Sequence, residues 1–166
     1  MKYPLAAPDA IPQADLDALA DWIRGGPWLT MGSLVARFEE EFARWLGVKH
    51  AVMVNSGSSA NLLMWAAVKH LKKFQSVTAP AVAWSTTISP AMQLGLSVEL
   101  QDVDEATWGV KEKQAKGIAV HVLGVPCASW GHLLEDACAA LGSEQDGKKV
   151  GTTSWLSSFS FFWNHQ

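Results

Sequence analysis

Apolar side chains return every three or four residues in two stretches near the start of the chain and then gather into short runs. This change of rhythm predicts two helices followed by an alternating α/β region. In the first stretch Leu16, Leu19, Trp22 and Ile23 share one side of a helix, with Pro12 in its first turn and Gly25-Gly26 at its end. In the second, Val35, Phe38, Phe42, Trp45 and Leu46 form the apolar face, Ser33 is the expected cap and Gly47 the stop. Thereafter the pattern predicts strand 50–54, helix 59–71, strand 76–79, helix 85–94, strands 97–101, 117–122 and 132–135, and a last apolar strand near 155–161. Strands that alternate with helices imply a mostly parallel sheet covered on both faces, a three-layer α/β domain. One connection is thin. Only Val125 to His132 separate two of the apolar runs, whereas parallel neighbours need a crossover of about a dozen residues. Either those strands are not parallel neighbours or a crossover helix is missing.

Composition narrows the function classes. With 166 residues, 49% of them apolar and 17% charged, the chain can fill one ordinary α/β domain. It carries no internal repeat or linker, so residues 1–166 are expected as one domain. A net charge of −3, with lysines gathered only at Lys69-Lys72-Lys73 and Lys148-Lys149, lacks the footprint of a nucleic-acid binder. No run of about 18 apolar residues predicts a membrane span. The two cysteines, Cys127 and Cys138, form no CxxC, and no secretory signal opens the chain, so a reducing cytoplasm is expected. Most of the nine tryptophans are expected in the core or at an interface.

The chemistry concentrates in one turn. Asn55-Ser56-Gly57-Ser58-Ser59-Ala60-Asn61 joins the apolar run Ala51–Val54 to the helical run that starts at Leu62. A helix N-terminus exposes unpaired N–H groups and the positive end of its dipole, Gly57 permits close backbone approach, and Ser58 and Ser59 add hydroxyls, so the turn can cup a phosphate. Its spacing is neither a Walker loop nor a dinucleotide fingerprint, and Ser58 could equally be a plain helix cap. In parallel sheets ligands bind beyond the carboxyl ends of the strands, where this turn would lie. His121 and His132 are 11 apart with no cysteine or acidic cluster at zinc spacing, so they are expected as core or surface histidines. Cys138 is expected as a small buried residue.

Taken in order, several segments resemble the PLP-dependent sugar aminotransferase family of DegT/StrS type. They are Leu29-Thr30-Met31-Gly32, Val54-Asn55-Ser56-Gly57-Ser58-Ser59-Ala60-Asn61-Leu62, Pro80-Ala81-Val82-Ala83-Trp84-Ser85-Thr86-Thr87, Asp102-Val103-Asp104, His121-Val122-Leu123-Gly124, Glu135-Asp136-Ala137-Cys138 and Phe159-Ser160-Phe161. The resemblance implies the large domain of the aspartate-aminotransferase-like (type I PLP) fold and a cofactor, pyridoxal or pyridoxamine 5'-phosphate. Carried onto matching positions, it implies that Asp136 holds the protonated pyridine nitrogen, keeping the ring an electron sink. Trp84 would lie against the ring, and Ser58, Ser59 and Ser160 would grip the phosphate. Each residue also has a structural reading: a cap for Asp136, a core indole for Trp84, and for Ser160 a strand serine bonded to its own backbone.

Departures from the family pattern refine the expectation. Five residues after Ser160 the family places the lysine that binds PLP covalently; here His165 stands there, and an imidazole cannot form that link. The same replacement characterises the nucleotide-sugar 3-dehydratase branch, which the segments around Ser58, Trp84 and His165 also resemble. The implied reaction is C3 dehydration, or amino transfer, on a nucleotide-linked 4-keto-deoxysugar, with His165 as base, in deoxysugar or surface-polysaccharide biosynthesis. His165 could also be simply a frayed terminal residue. Ala139 replaces a glutamine that many relatives use on the cofactor's 3-oxygen. The resemblance covers nearly all of this chain but well under half of a complete enzyme, whose remaining large domain and small domain would follow. A truncated large domain, inactive alone, is therefore expected, either part of such an enzyme or a cofactor-binding or assembly remnant that forms a homodimer or pairs with a full-length homologue.

Overall fold

A computed structural model describes residues 11–129, 131–162 and 165. The chain divides into two compact units, one ending at Met53 and the other running Val54–His165.

In the first unit, α1 (Gln13–Arg24) and α2 (Ser33–Leu46) form where the apolar spacing predicts them. The aromatic side of α2 is self-stacked, Phe38 on Phe42 at 5.7 Å and Phe42 on Trp45 at 5.5 Å, the contacts expected for positions four and three apart. Gly32, not Ser33, occupies the cap position, and Ser33 is the first helical residue. Gly47 ends the helix in the left-handed conformation at φ 86°, donating its N–H to Ala43 O at 2.9 Å. The expected strand 50–54 does not form. The Met53 N–H donates to Glu39 Oε1 at 2.7 Å, so a side-chain carboxylate of α2 takes the bond a neighbouring strand would have taken.

The second unit holds the sheet. Helix α3 (Gly57–Ala67) runs on through a wider π turn, Val68–Lys72, and closes at Lys73 with φ 57°. Then follow β1 (Ser76–Pro80), α4 (Ser85–Gln93), β2 (Ser97–Gln101), β3 (Ile118–Val120), β4 (Leu134–Asp136), β5 (Glu144–Gln145), β6 (Lys148–Lys149) and β7 (Leu156–Ser158). Strands β1 and β2 pair in parallel, as do β3 with β4 and β4 with β7. A parallel bridge between Thr78 and Gly117 joins the two groups, giving the order β2-β1-β3-β4-β7. Glycine is required at that bridge. A Cβ on Gly117 would collide with Thr78 Oγ1 and lie 2.5 Å from Thr78 O.

Strands β3 and β4 are parallel neighbours, and residues 121–133 link them through a single 3-10 turn, Val122–Gly124. Of the two possibilities open in the sequence, the crossover without a helix is the one realised. The hairpin β5-β6, absent from the predicted elements, turns through Asp146 and Gly147, both at positive φ (53° and 72°), as a tight Asp-Gly hairpin requires.

The core lies between the helices and one face of the sheet. Met64, Trp65 and Val68 from α3 and its extension meet Val77 and Ala79 of β1, Ala91 of α4, Leu96, Ile118 of β3 and Leu134 of β4. Trp65 is fully buried and its Nε1–H donates to Thr87 O at 2.8 Å, tying α3 to α4. Alternation along β3 and β4 sends their odd members to the other face. There Ala119 packs with Val110 and Cys127, and Glu135 accepts bonds from the 151–154 loop.

Candidate functional site

Beyond the carboxyl ends of β4 and β7, the first turns of α3 and α4 converge on a buried carboxylate. Ser56, in extended conformation at φ −165°, caps α3 by accepting the Ser59 N–H on Oγ at 3.1 Å. The cap is thus Ser56, which leaves the Ser58 hydroxyl for a tertiary bond: it donates to Thr86 Oγ1 in the first turn of α4 at 2.9 Å. Gly57 begins the helix against the segment after β4 and β7. A Cβ there would stand 2.8 Å from Cys138 Sγ and 3.5 Å from Ser160 Cβ, so glycine allows this approach.

Asp136, the last residue of β4, is 5% exposed. Its Oδ2 accepts Thr87 Oγ1–H at 2.7 Å and Asn61 Nδ2–H at 2.9 Å, and its Oδ1 accepts the Cys138 backbone N–H at 3.1 Å. The last bond is the local cap foreseen for an aspartate at a strand end; the first two reach across the fold from α4 and α3. A carboxylate offers about four acceptor positions. The three donors found among the described residues leave Oδ1 able to take another. Burial, followed by the Asp136 charge beside it, pushes the Cys138 thiol well above the ordinary range.

Trp84 immediately precedes α4, is 77% exposed, and accepts the Thr87 N–H on its carbonyl at 2.9 Å. Ser160 is buried and its Oγ accepts the Phe162 N–H at 3.1 Å; it lies beyond the end of β7, so it is not the strand serine of its structural reading. Short links therefore connect four positions picked out in the sequence: Trp84 to Asp136 through Thr87, Ser58 to the same helix turn through Thr86, and Ser160 to Gly57. Ser59 lies in the capped turn itself. His165 sits in a turn whose N–H donates to Phe162 O at 2.8 Å, with its ring edge-on to Phe162 at 5.6 Å. Its Nδ1 is buried with no hydrogen-bond partner among the described residues.

Asn61, Thr87 and Ser158, which hold the carboxylate, had no role in the sequence reading. Asn61 and Thr87 stand inside segments that carried the family resemblance, and their short polar side chains in first helical turns were the available signal. The arrangement sets a serine-bearing helix N-terminus and a buried acceptor side by side, with an exposed indole on the residue that opens α4. It suits a planar ligand with a basic ring nitrogen and an anionic tail.

The opposite face of β4 holds a second polar cluster. Glu135 is fully buried and accepts Thr153 Oγ1–H and Ser154 Oγ–H at 2.6 Å each, the Gly151 N–H, and His121 Nε2 at 3.4 Å. Burial alone would raise the Glu135 pKa, but bonds from His121, Ser154 and Thr153 outweigh it and bring it down to about 2. His121 Nδ1 accepts the Cys127 N–H at 3.1 Å, so its other nitrogen carries the proton that faces Glu135. Burial disfavours a charged imidazole, but Cys127 and Glu135 favour one and together shift the His121 pKa upward. His132 likewise accepts the Gln114 N–H on Nδ1 at 3.0 Å. Both histidines are buried core residues, and no described group of three or more potential ligands could hold a metal ion.

The sequence profile of the DegT/DnrJ/EryC1/StrS aminotransferase family matches residues 10–166. The chain belongs to this family. Among curated members, the GDP-4-keto-6-deoxy-D-mannose 3-dehydratase of Yersinia pseudotuberculosis is 38% identical over 160 residues, 82% of this chain and 41% of that protein. The protein of the same name from Escherichia coli O55:H7 is 35% identical over 99% of this chain and 48% of its own length. The solved structure of the E. coli GDP-4-keto-6-deoxy-D-mannose-3-dehydratase with bound hydrated PLP superposes at a TM-score of 0.85, with 32% identity over 98% of this chain and 48% of that one. The fold is thus the mostly parallel α/β arrangement of PLP aminotransferases, and the chain spans about half the length of the relatives it matches.

Proposed function

We propose that this chain is the N-terminal, cofactor-binding portion of a PLP- or PMP-dependent enzyme acting on a nucleotide-linked 4-keto-6-deoxysugar, removing its C3 hydroxyl. The observation that carries this reading is the buried Asp136 carboxylate, with acceptor capacity left, beside the serine-lined N-terminus of α3. These residues fit the cofactor: a serine-bearing helix N-terminus for an anionic tail, an acceptor for a protonated ring nitrogen, and an exposed indole at Trp84. When bound, the cofactor supplies an electron sink for chemistry at the sugar carbons.

In this reading Asp136 keeps a proton on the ring nitrogen through charge and hydrogen bonding. The first turn of α3, with Ser58 and Ser59, and Ser160 orient the phosphate, and Trp84 shields one face of the ring from water. His165 is the base: its Nδ1, which has no hydrogen-bond partner among the described residues, can take a proton and, unlike a lysine amine, does not compete for the aldehyde. Preference for dehydration over amino transfer rests on His165 and on the similarity to 3-dehydratases. A cytoplasmic setting and assembly as a homodimer, or with a full-length homologue, complete the reading. Two free cysteines fit a reducing compartment, and the broadly exposed Trp28 and Leu29 fit a partner surface.

Titration with PLP tests it. The purified chain is expected to bind PLP with a change in cofactor absorbance, to yield no lysine adduct after borohydride, and to lose binding on Asp136→Ala. A trapped lysine adduct in the cup, or unchanged affinity in Asp136→Ala, overturns the proposal.

A further inference from the structure

Behind Asp136 the donors run in one direction. A carboxylate can only accept, so the Asn61 amide must turn Nδ2 toward Asp136, which leaves Asn61 Oδ1 to accept the Ser158 hydroxyl at 2.7 Å. With its proton spent on Asn61, Ser158 Oγ accepts the Cys138 thiol at 3.7 Å. Thr87 reaches the same Oδ2 from the other side. Asn61 is 2% exposed, Thr87 1% and Ser158 2%, so little water competes for these bonds. Every donor in the chain is neutral. A lysine or arginine in place of Asn61 or Thr87 would cancel the charge on Asp136, whereas amide and hydroxyl dipoles stabilise the anion and leave its net charge for another partner.

We infer that Asn61 and Thr87, with Ser158 behind Asn61, are positioning residues that hold Asp136 as an oriented anion for a cationic ring nitrogen. The inference rests on the cofactor reading above and deepens it. It assigns three side chains from α3, α4 and β7 to one task, fixing the direction of the free acceptor on Asp136, and makes ring-nitrogen recognition depend on groups that never touch the ring. Packing alone predicts something different. If Thr87 mattered only for shape, Thr87→Val would be silent and Thr87→Ser harmful; if its hydroxyl matters, the order reverses.

The test compares affinities for PLP and for its 1-deaza analogue, in which C–H replaces the ring nitrogen, by fluorescence titration of the full chain. Wild type is expected to prefer PLP by about tenfold or more, the scale of a hydrogen bond to a charged group. Asp136→Asn should abolish the preference. Thr87→Val, Asn61→Leu and Ser158→Ala should each reduce it several-fold by weakening PLP and leaving the analogue unchanged, while Thr87→Ser keeps it. A wild type or Asp136→Asn result without that pattern refutes the cofactor reading itself. An intact preference in Thr87→Val, or equal weakening of both ligands, overturns the relay while leaving the cofactor reading in place. Should Asn61→Leu fail to fold, the Val and Ser variants at position 87 decide the matter.

Discussion

Gly57→Ala puts a methyl group where α3 meets the ends of β4 and β7. The new Cβ would stand 2.8 Å from Cys138 Sγ, far inside van der Waals contact, and 3.5 Å from Ser160 Cβ and 3.8 Å from Phe159 O, both tolerable. One contact therefore decides the outcome. Overpacking of this kind costs about 1–3 kcal/mol. Alanine in a helix recovers about 0.5–1 kcal/mol of it, and Gly57 is already helical. The net loss should be about 1 kcal/mol, a fall in Tm of about 2–4 °C for a chain of this size. In a Cys138→Ala background the clash has no partner, so the same substitution should become neutral or slightly stabilising. A double-mutant cycle by urea denaturation should then give a coupling of about 1–2 kcal/mol. Additive effects, or a Gly57→Ala protein more stable than wild type with Cys138 intact, would show that the helix does not approach the strand ends as described.

Other consequences follow from the buried polar groups and thiols. Because hydrogen bonds hold Glu135 at about 2, below its ordinary 4.5, its contribution of about 3 kcal/mol should be complete above pH 4.5 and disappear as pH falls toward 2; Glu135→Gln should remove this part of the acid-unfolding profile. A profile unchanged by that substitution would contradict the assignment. Trp65→Phe, which gives up the Nε1–H bond to Thr87 O and part of a fully buried ring, should cost about 1–3 kcal/mol in urea unfolding; a loss below 0.5 kcal/mol, to take a rough threshold, would be too small for a core residue. Toward Ellman's reagent the cysteines should separate: the Cys138 rate should climb about tenfold per pH unit because its thiol titrates far above neutrality. The rate at Cys127, with a thiol brought to about 6 by His121 and His132 against its burial, should follow opening of the fold and stay flat from pH 7 to 9. Equal pH slopes at the two sites would refute this.

What could be read from the chain follows from how local each determinant is. Helix α2 was legible because its aromatics at 38, 42 and 45 and the stop at Gly47 lie within one segment. The run Ala51–Val54 carries the same apolar signal as a strand, yet strand formation needs a partner, and Met53 finds the Glu39 side chain instead. The β3-β4 connection reads as too short because the apolar runs extend past the strands that form: with β3 ending at Val120 and β4 starting at Leu134, residues 121–133 supply the length a crossover needs, and His121 and His132, each accepting a backbone N–H within or beside it, help it hold its course without a helix. The Asp146-Gly147 pair is a turn signal in sequence, but the strands it joins are only two polar residues long each and carry no strand pattern of their own. At the site, Ser58, Trp84, Asp136 and Ser160 could be picked out by family pattern, but the groups holding Asp136 lie 75 and 49 residues away in the chain, and only the fold brings them together.

The state of the ring nitrogen is the sharpest test of the account. PLP labelled with 15N in the pyridine ring, bound to the chain and observed by NMR, should show a protonated nitrogen that stays protonated well above the pH at which free PLP loses that proton, and Asp136→Ala should return it to the unprotonated shift. An unprotonated nitrogen in the wild-type complex, or one indifferent to Asp136, would contradict the placement of the cofactor between Trp84, the α3 cup and the end of β4.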